Sequence, residues 1–229
     1  MSDRPIQAVV FDLDDTLYSE RDYVRSGYRA VAAMMVANPP GATALADWMW
    51  ERFCEGRSER MLNAAAAEFG LPDDPDTIAR WVAAYRDHRP GIEPYADAVE
   101  VLDVLRGRVK LGLLSDGFLP AQSLKLDALG LRASFDAIVF TEAMGRDCWK
   151  PSPAGFERIA TELGVPHPFC AYVGDNPAKD FVAPNALGWL TLQWRRDGQV
   201  HAQRSVADGG AAQIVVANGA ALLAALRVG

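Results

Sequence analysis

The chain has 229 residues, of which 50% are hydrophobic and 23% are charged, so it can bury one sizeable core and a smaller second unit. Its net charge of -7 argues against duplex nucleic acid or an anionic membrane as the main partner, because both require a basic face. The 3 cysteines lie far apart and form no CxxC pair, so we expect neither a disulfide framework nor a zinc site. No apolar stretch reaches the roughly 20 residues of a membrane span, and we expect a cytoplasmic protein.

The chain begins with a short apolar run at residues 6–10, which predicts a buried parallel strand and leads directly into the acidic stretch DLDDTL at 12–17. Asp12 and Asp14 are two residues apart, so their side chains project to the same side if the backbone stays extended. Two carboxylates so close together repel each other, and therefore one is protonated or a cation is bound between them. The pattern indicates that chemistry takes place at the end of this strand.

The segment at 19–90 shows helical periodicity and no convincing strand. Apolar residues recur at helix spacing in successive stripes, and segments rich in proline and glycine separate these stripes at 39–41, 71–73 and 89–94. Aromatic and methionine residues on such stripes are typical of a core. This part of the sequence predicts a small all-helical domain.

Helices and strands alternate after Pro94. Strands are predicted at 109–114, 137–140, 169–173, 189–193 and 213–216, with helices between them and a closing helix at 220–226. Asn176 is expected to cap a helix that begins at Pro177. The alternation predicts a doubly wound, Rossmann-like α/β core built from residues 1–18 and 91–229, with residues 19–90 as a separate helical domain.

Four polar residues, Asp12, Ser115, Lys150 and Asp175, fall at or shortly after the ends of predicted strands. In a doubly wound sheet, ligands bind beyond the carboxyl ends of the strands, near the point where the strand order reverses. These residues come from separate parts of the chain, and we therefore expect the fold to bring them together in one site.

This set of residues suits the hydrolysis of a phosphate monoester. Asp12 can attack phosphorus, and Asp14 can give a proton to the leaving oxygen and then take one from water. Asp12, Asp175 and a backbone carbonyl offer the oxygen ligands that Mg²⁺ prefers. Lys150 and the Ser115 hydroxyl can hold the phosphoryl oxygens.

Four motifs together resemble the haloacid dehalogenase superfamily of hydrolases: DLDDTL at 12–17, LSDG at 114–117, Lys150-Pro151, and GDNPAKD at 174–180. The resemblance covers essentially the whole chain. The helical insert at 19–90 resembles the type I cap of that superfamily, which closes over the site and selects substrates.

The resemblance implies a role for each motif residue. Asp12 is expected to be the nucleophile, Asp14 the acid/base and a metal ligand through its backbone carbonyl, and Thr16 an orienting hydroxyl. Ser115, together with the adjoining Asp116 and with Lys150, is expected to bind phosphate. The remaining implied residues belong to the metal site: Asp175 as a ligand, and Asp180 as a support for the cation or for Lys150.

Asp14 also separates two branches of the superfamily. Members that resemble the dehalogenases proper lack an aspartate there, since a halide leaves without a proton, and the sequence therefore favours a phosphatase over a 2-haloacid dehalogenase. A phosphomutase stays open, because the same residues can pass the phosphoryl group to another sugar hydroxyl. Sugar phosphates, nucleotide monophosphates and similar metabolites all stay open as substrates, and the chain is expected to be a monomer or homodimer.

Two other classes of protein combine a parallel sheet with acidic residues. They are the phospho-receiver domains and binding proteins that have lost catalysis. In a receiver domain the phosphorylated aspartate lies on a later strand than the paired acids, and this sequence has no convincing candidate there. A binding protein that has lost catalysis would not need the full set of motifs. The sequence favours an enzyme.

Overall fold

The computed structural model describes residues 5–228, so residues 1–4 and 229 of the predicted core domain lie outside it. Six parallel strands form one sheet. They are β1 (Ala8–Phe11), β2 (Lys110–Ser115), β3 (Ala137–Phe140), β4 (Cys170–Gly174), β5 (Leu190–Trp194) and β6 (Ile214–Val216), and their order across the sheet is β3-β2-β1-β4-β5-β6.

The described part of the chain also contains α-helices between and after these strands. They are α1 (Glu20–Met35), α2 (Pro39–Cys54), α3 (Met61–Phe69), α4 (Pro75–Asp87), α5 (Ala96–Leu105), α6 (Ala121–Ala128), α7 (Ala154–Leu163), α8 (Val182–Ala186) and α9 (Gly219–Leu226). None of the helices in residues 5–228 has the length and apolar character needed to cross a bilayer.

Helices cover both faces of the sheet, as the Rossmann-like prediction requires. In β1, Val9 and Phe11 pack into the cluster formed with α5, α6 and α9, whereas Ala8 and Val10 pack into the cluster formed with α7 and α8. Every residue of β1 is buried, because successive side chains enter opposite apolar layers. This explains why the strand is a continuous apolar run rather than an alternating one.

The strand order reverses between β1 and β4, the two central strands. Phe11 is level with Val173 of β4 and with Leu113 of β2, and the Asp12 amide extends the ladder by donating to the Val173 carbonyl at 2.8 Å. The residues that follow these strands therefore emerge at the same edge. This edge is the expected place for a ligand in a doubly wound sheet.

Helices α1 to α4 pack on one another around apolar clusters of their own, which include Val24, Tyr28, Leu45, Met49 and Trp81. The predicted helical periodicity of 19–90 is confirmed in this arrangement. The chain leaves the sheet and returns to it along two adjacent segments, where Tyr18 bridges to Pro94 and the Tyr95 amide donates to the Leu17 carbonyl at 2.9 Å.

The prediction of a helix beginning at Pro177 is wrong. Residues 177–181 form turns, and α8 begins only at Val182. The Asn176 side chain accepts a hydrogen bond from the Ala178 amide, at 3.1 Å, while the Asn176 amide donates to Asp180 Oδ2 at 2.9 Å. The first of these bonds is the one that a helix N-cap makes, so the predicted cap is present, and the Asp180 amide donates to the Asn176 carbonyl at 2.9 Å, but the turn does not continue as a helix from Pro177.

Gly27 of α1 lets the Tyr85 ring of α4 pack against the helix backbone. A Cβ at this position would lie 2.4 Å from Cε2 of Tyr85. We expect Gly27→Ala to lower the free energy of unfolding by about 1–3 kcal/mol, because the displaced ring overpacks the helical cluster and outweighs the helix propensity of alanine. Urea denaturation checks this.

The matched control is Gly91→Ala, where the new Cβ would meet only Ser26 Oγ, at 3.7 Å. Equal stability of the two variants would contradict the packing argument.

Candidate active site

Asp12 and Lys150 form a buried ion pair at the end of β1. The Lys150 ammonium also lies 2.8 Å from Asp180 Oδ1, and it donates to the Tyr172 hydroxyl at 2.9 Å. Burial raises the pKa of Asp12 to about 7, with a further upward contribution from the negative charge of Asp180, while Lys150 opposes both. The structure thus places the predicted nucleophile against the predicted phosphate-binding lysine.

Asp116 fixes the loop that carries Lys150. Its carboxylate accepts from the Lys150 amide at 3.2 Å to each oxygen, from Thr141 Oγ1 at 2.8 Å, and from Lys179 Nζ at 3.2 Å. Burial opposes ionisation, but the charges of Lys150 and Lys179 and these hydrogen bonds hold the pKa of Asp116 below its usual value. The carboxylate therefore anchors this loop.

Asp14 turns its carboxylate towards α6. Lys125 Nζ lies 2.7 Å from Oδ1, Gln122 Nε2 donates to Oδ2 at 2.8 Å, and the Tyr18 hydroxyl donates to Oδ1. Burial alone raises the pKa of Asp14, but the Lys125 charge and these hydrogen bonds outweigh it and lower the pKa. Gln122 also donates to Ser115 Oγ at 2.7 Å, which links the hydroxyl to the acidic loop.

Three carboxylates, Asp12, Asp175 and Asp180, form the group that could hold a metal ion. Each offers an oxygen, and these oxygens lie within 4.8 Å of one another. Asp175 Oδ2 is buried and has no hydrogen-bond partner within residues 5–228. Burial and the neighbouring charges of Asp180 and Asp12 raise the pKa of Asp175 well above its usual value. An all-oxygen set with an unpaired buried atom fits a hard cation such as Mg²⁺.

The glycine that precedes Asp175 makes this cluster possible. A Cβ on Gly174 would lie 2.7 Å from Asp180 Oδ2, so only glycine leaves room for that carboxylate. Asp14 is absent from the carboxylate group, and it could contribute to a metal only through its backbone. Thr16 is buried, and its hydroxyl has no hydrogen-bond partner among the described residues, so no contact accompanies its predicted orienting role.

A cavity of about 550 Å³ opens between the strand ends and helices α1, α3 and α4. Asp12, Asp14, Asp116 and Asp175 lie at its floor. The helical wall is partly aromatic and partly basic, with Tyr23, Tyr28, Tyr85, Arg60 and Arg86 among its residues.

Several residues in or beside this cavity were missed in the sequence. They are Glu20, Gln122, Lys125, Thr141, Lys179 and His201. A signal for Lys125 did exist, because helical spacing puts it on the same face as Ala121 and Gln122, and a lysine on a buried face requires a partner. Glu20 and His201 gave no such signal, since the fold alone brings His201 Nε2 within 3.6 Å of Glu20 Oε2.

The chain is similar to known proteins over most of its length. The family model for the haloacid dehalogenase-like hydrolases matches residues 6–188. A glyceraldehyde 3-phosphate phosphatase from Methanopyrus kandleri is 30% identical over 199 residues, which cover 83% of this chain and 84% of that protein.

Solved structures agree in fold. The HAD-hydrolase YfnB from Bacillus subtilis, bound to magnesium, is 17% identical with a TM-score of 0.71, and the match covers 98% of this chain and 100% of that one. The L-2-haloacid dehalogenase from Xanthobacter autotrophicus is 23% identical with a TM-score of 0.64, and the match covers 97% and 98% of the two chains. With a family model that spans residues 6–188, this chain belongs to the haloacid dehalogenase-like hydrolases.

Proposed function

We propose that this hydrolase is a Mg²⁺-dependent phosphatase that acts on a small phosphomonoester through an aspartyl-phosphate on Asp12. The observation that carries the proposal is the packing of Asp12 against Lys150 within a few ångströms of the Asp175 and Asp180 carboxylates, at the floor of an open cavity. The similarity to a glyceraldehyde 3-phosphate phosphatase supports a phosphorylated sugar as the substrate class.

In the first step, a carboxylate oxygen of Asp12 attacks phosphorus, an O–P bond forms, and the bond to the leaving oxygen breaks. Lys150 lies beside Asp12 and is positioned to contact the phosphoryl oxygens, and Ser115 lies at the end of the neighbouring strand. A divalent cation held by Asp12, Asp175 and the Asp14 carbonyl would neutralise the negative charge that these groups share with the phosphate.

Asp14 carries the proton transfers in this proposal. The donors around it favour the ionised carboxylate in the free enzyme, so it takes up a proton as the phosphate binds. It gives this proton to the leaving oxygen in the first step and takes one from the water that hydrolyses the aspartyl-phosphate. Its carboxylate lines the same cavity as Asp12, and its side chain is 22% exposed, so both a substrate oxygen and a water can reach it. A halide would need no such proton, and for this reason a phosphatase is favoured over a dehalogenase.

We assign the helices of residues 19–90 to a cap domain and the remainder, 1–18 and 91–229, to the catalytic core. The separate apolar clusters of α1 to α4 and the position of the cavity between these helices and the sheet support this division. A cap above the phosphate floor would contact the leaving group and exclude water from the reacting atoms. The degree to which the cap excludes water distinguishes a phosphatase, which transfers the phosphoryl group to water, from a phosphomutase, which transfers it to a sugar hydroxyl.

The nucleophile assignment is tested by Asp12→Asn. We expect phosphate release from a panel of sugar phosphates, nucleotide monophosphates and other metabolite phosphates to fall by more than about 10³-fold, because an amide cannot attack phosphorus. The control is Asp73→Asn, which makes the same change at an exposed residue. Near-normal turnover by Asp12→Asn would refute the proposed mechanism.

The metal site is tested by thermal unfolding. Without a cation, folded Asp12 keeps its proton up to a pH of about 7, whereas an unfolded aspartate loses it near pH 3.9. The folded state binds more protons in this window, so the free energy of unfolding contributed by Asp12 falls as the pH rises through it. We expect Mg²⁺ at about 100-fold above its Kd to add about 2.7 kcal/mol near neutral pH, a rise in Tm of several degrees.

Two comparisons make the metal test specific. The rise in Tm should shrink at a pH of about 5, because protons then compete for the same carboxylates. The rise in Tm should disappear in Asp175→Asn but persist in Asp73→Asn. NaCl of equal ionic strength serves as the blank for each protein. An equal rise in all three proteins would count against the Asp12–Asp175–Asp180 site.

A further inference from the structure

Lys125 is a buried lysine in α6 that the proposed reaction does not use directly. Its side chain is 6% exposed, and Nζ lies 2.7 Å from Asp14 Oδ1 and 4.0 Å from the centroid of the Tyr23 ring. Within residues 5–228 it forms no ion pair with any carboxylate except Asp14. Burying an ammonium group costs free energy unless the charge is paired, and Asp14 supplies the pairing carboxylate here.

Two other donors hold the same carboxylate. Gln122 Nε2 bonds Asp14 Oδ2 at 2.8 Å, and the Tyr18 hydroxyl bonds Oδ1 together with Lys125. Gln122 and Lys125 are three residues apart in α6, which places both on the face that looks towards the cavity. Since both carboxylate oxygens have a donor, the orientation of the Asp14 side chain is fixed.

We propose that Lys125 is a positioning residue that holds the Asp14 carboxyl group where it meets the leaving oxygen of the substrate. The inference rests on the proposed phosphatase function. As the Asp12 O–P bond forms and the bond to the leaving oxygen breaks, a proton moves from Asp14 to that oxygen. A misplacement of this carboxyl group slows only a step that needs the proton.

Leaving groups differ in how much they need that proton. The alkoxide that departs from glycerol 3-phosphate is a strong base and requires protonation as it leaves. The nitrophenolate that departs from 4-nitrophenyl phosphate is a stable anion and leaves without it. The value of kcat/KM covers the steps up to release of the leaving group, so its ratio between the two substrates reports on the proton transfer.

The experiment measures kcat/KM for both substrates in wild type, Lys125→Met and Lys125→Arg. We expect Lys125→Met to lose roughly 10–100-fold with glycerol 3-phosphate and less than about threefold with 4-nitrophenyl phosphate. Lys125→Arg should recover part of the loss, because it restores a cationic donor. Lys110→Met, which removes a lysine from an exposed ion pair with Asp136, is the control and should leave both values unchanged.

Tyr18→Phe keeps the buried ring and removes only the donor to Asp14 Oδ1, so it decides the question if Lys125→Met does not fold. It should lower kcat/KM for glycerol 3-phosphate more than for 4-nitrophenyl phosphate. Equal losses on the two substrates, in a variant whose Tm shows that it is folded, would overturn the positioning role. Failure of the phosphatase proposal itself gives a different result, since the wild type would then hydrolyse neither substrate, or Asp12→Asn would hydrolyse both.

Discussion

The site depends on the contact between the Lys150 ammonium and the carboxylates of Asp12 and Asp180. All three groups are almost completely buried, and such an arrangement is stable only when each charge has a partner. The fold secures it from several directions. β1 delivers Asp12, a reverse turn after β4 delivers Asp180, and the Asp116 carboxylate holds the backbone of Lys150.

The same pairing recurs around the cavity, although the protein as a whole carries a net charge of -7. Asp14 is paired with Lys125, and Asp116 contacts Lys179. Asp175 is the exception, with a buried oxygen that no described group satisfies. Asp12 and Asp180 share the single Lys150 ammonium and Asp175 has no cationic partner among the described residues, so the cluster is short of positive charge, and a cation fits there.

Much of the fold follows from local pattern. The apolar runs identified each strand to within one or two residues, because a strand buried on both faces must be apolar throughout. The four motifs placed Asp12, Ser115 and Asp175 at strand ends and Lys150 in the loop that follows β3, and their convergence follows from the parallel sheet. Lys125 and His201 were not found in this way, since their significance depends on which helix and which loop pack beside Asp14.

The turn at 177–181 was missed for a different reason. Asn176 followed by proline is a strong signal for a helix start, and the structure does contain the capping bond to the Ala178 amide. The signal does not give the length of the helix, and here only a turn forms before α8 begins at Val182. The Asn176 amide also donates to the Asp180 carboxylate, so this turn holds Asp180 close to the end of β4.

The paired linkers at Tyr18 and Pro94 have a mechanical consequence. Because the two chain crossings are joined by hydrogen bonds, helices α1 to α4 are connected to the sheet through one double-stranded joint rather than two independent tethers. Tyr18 lies in this joint and also donates to Asp14, so the same residue ties the connection of the helices to the orientation of the Asp14 carboxylate.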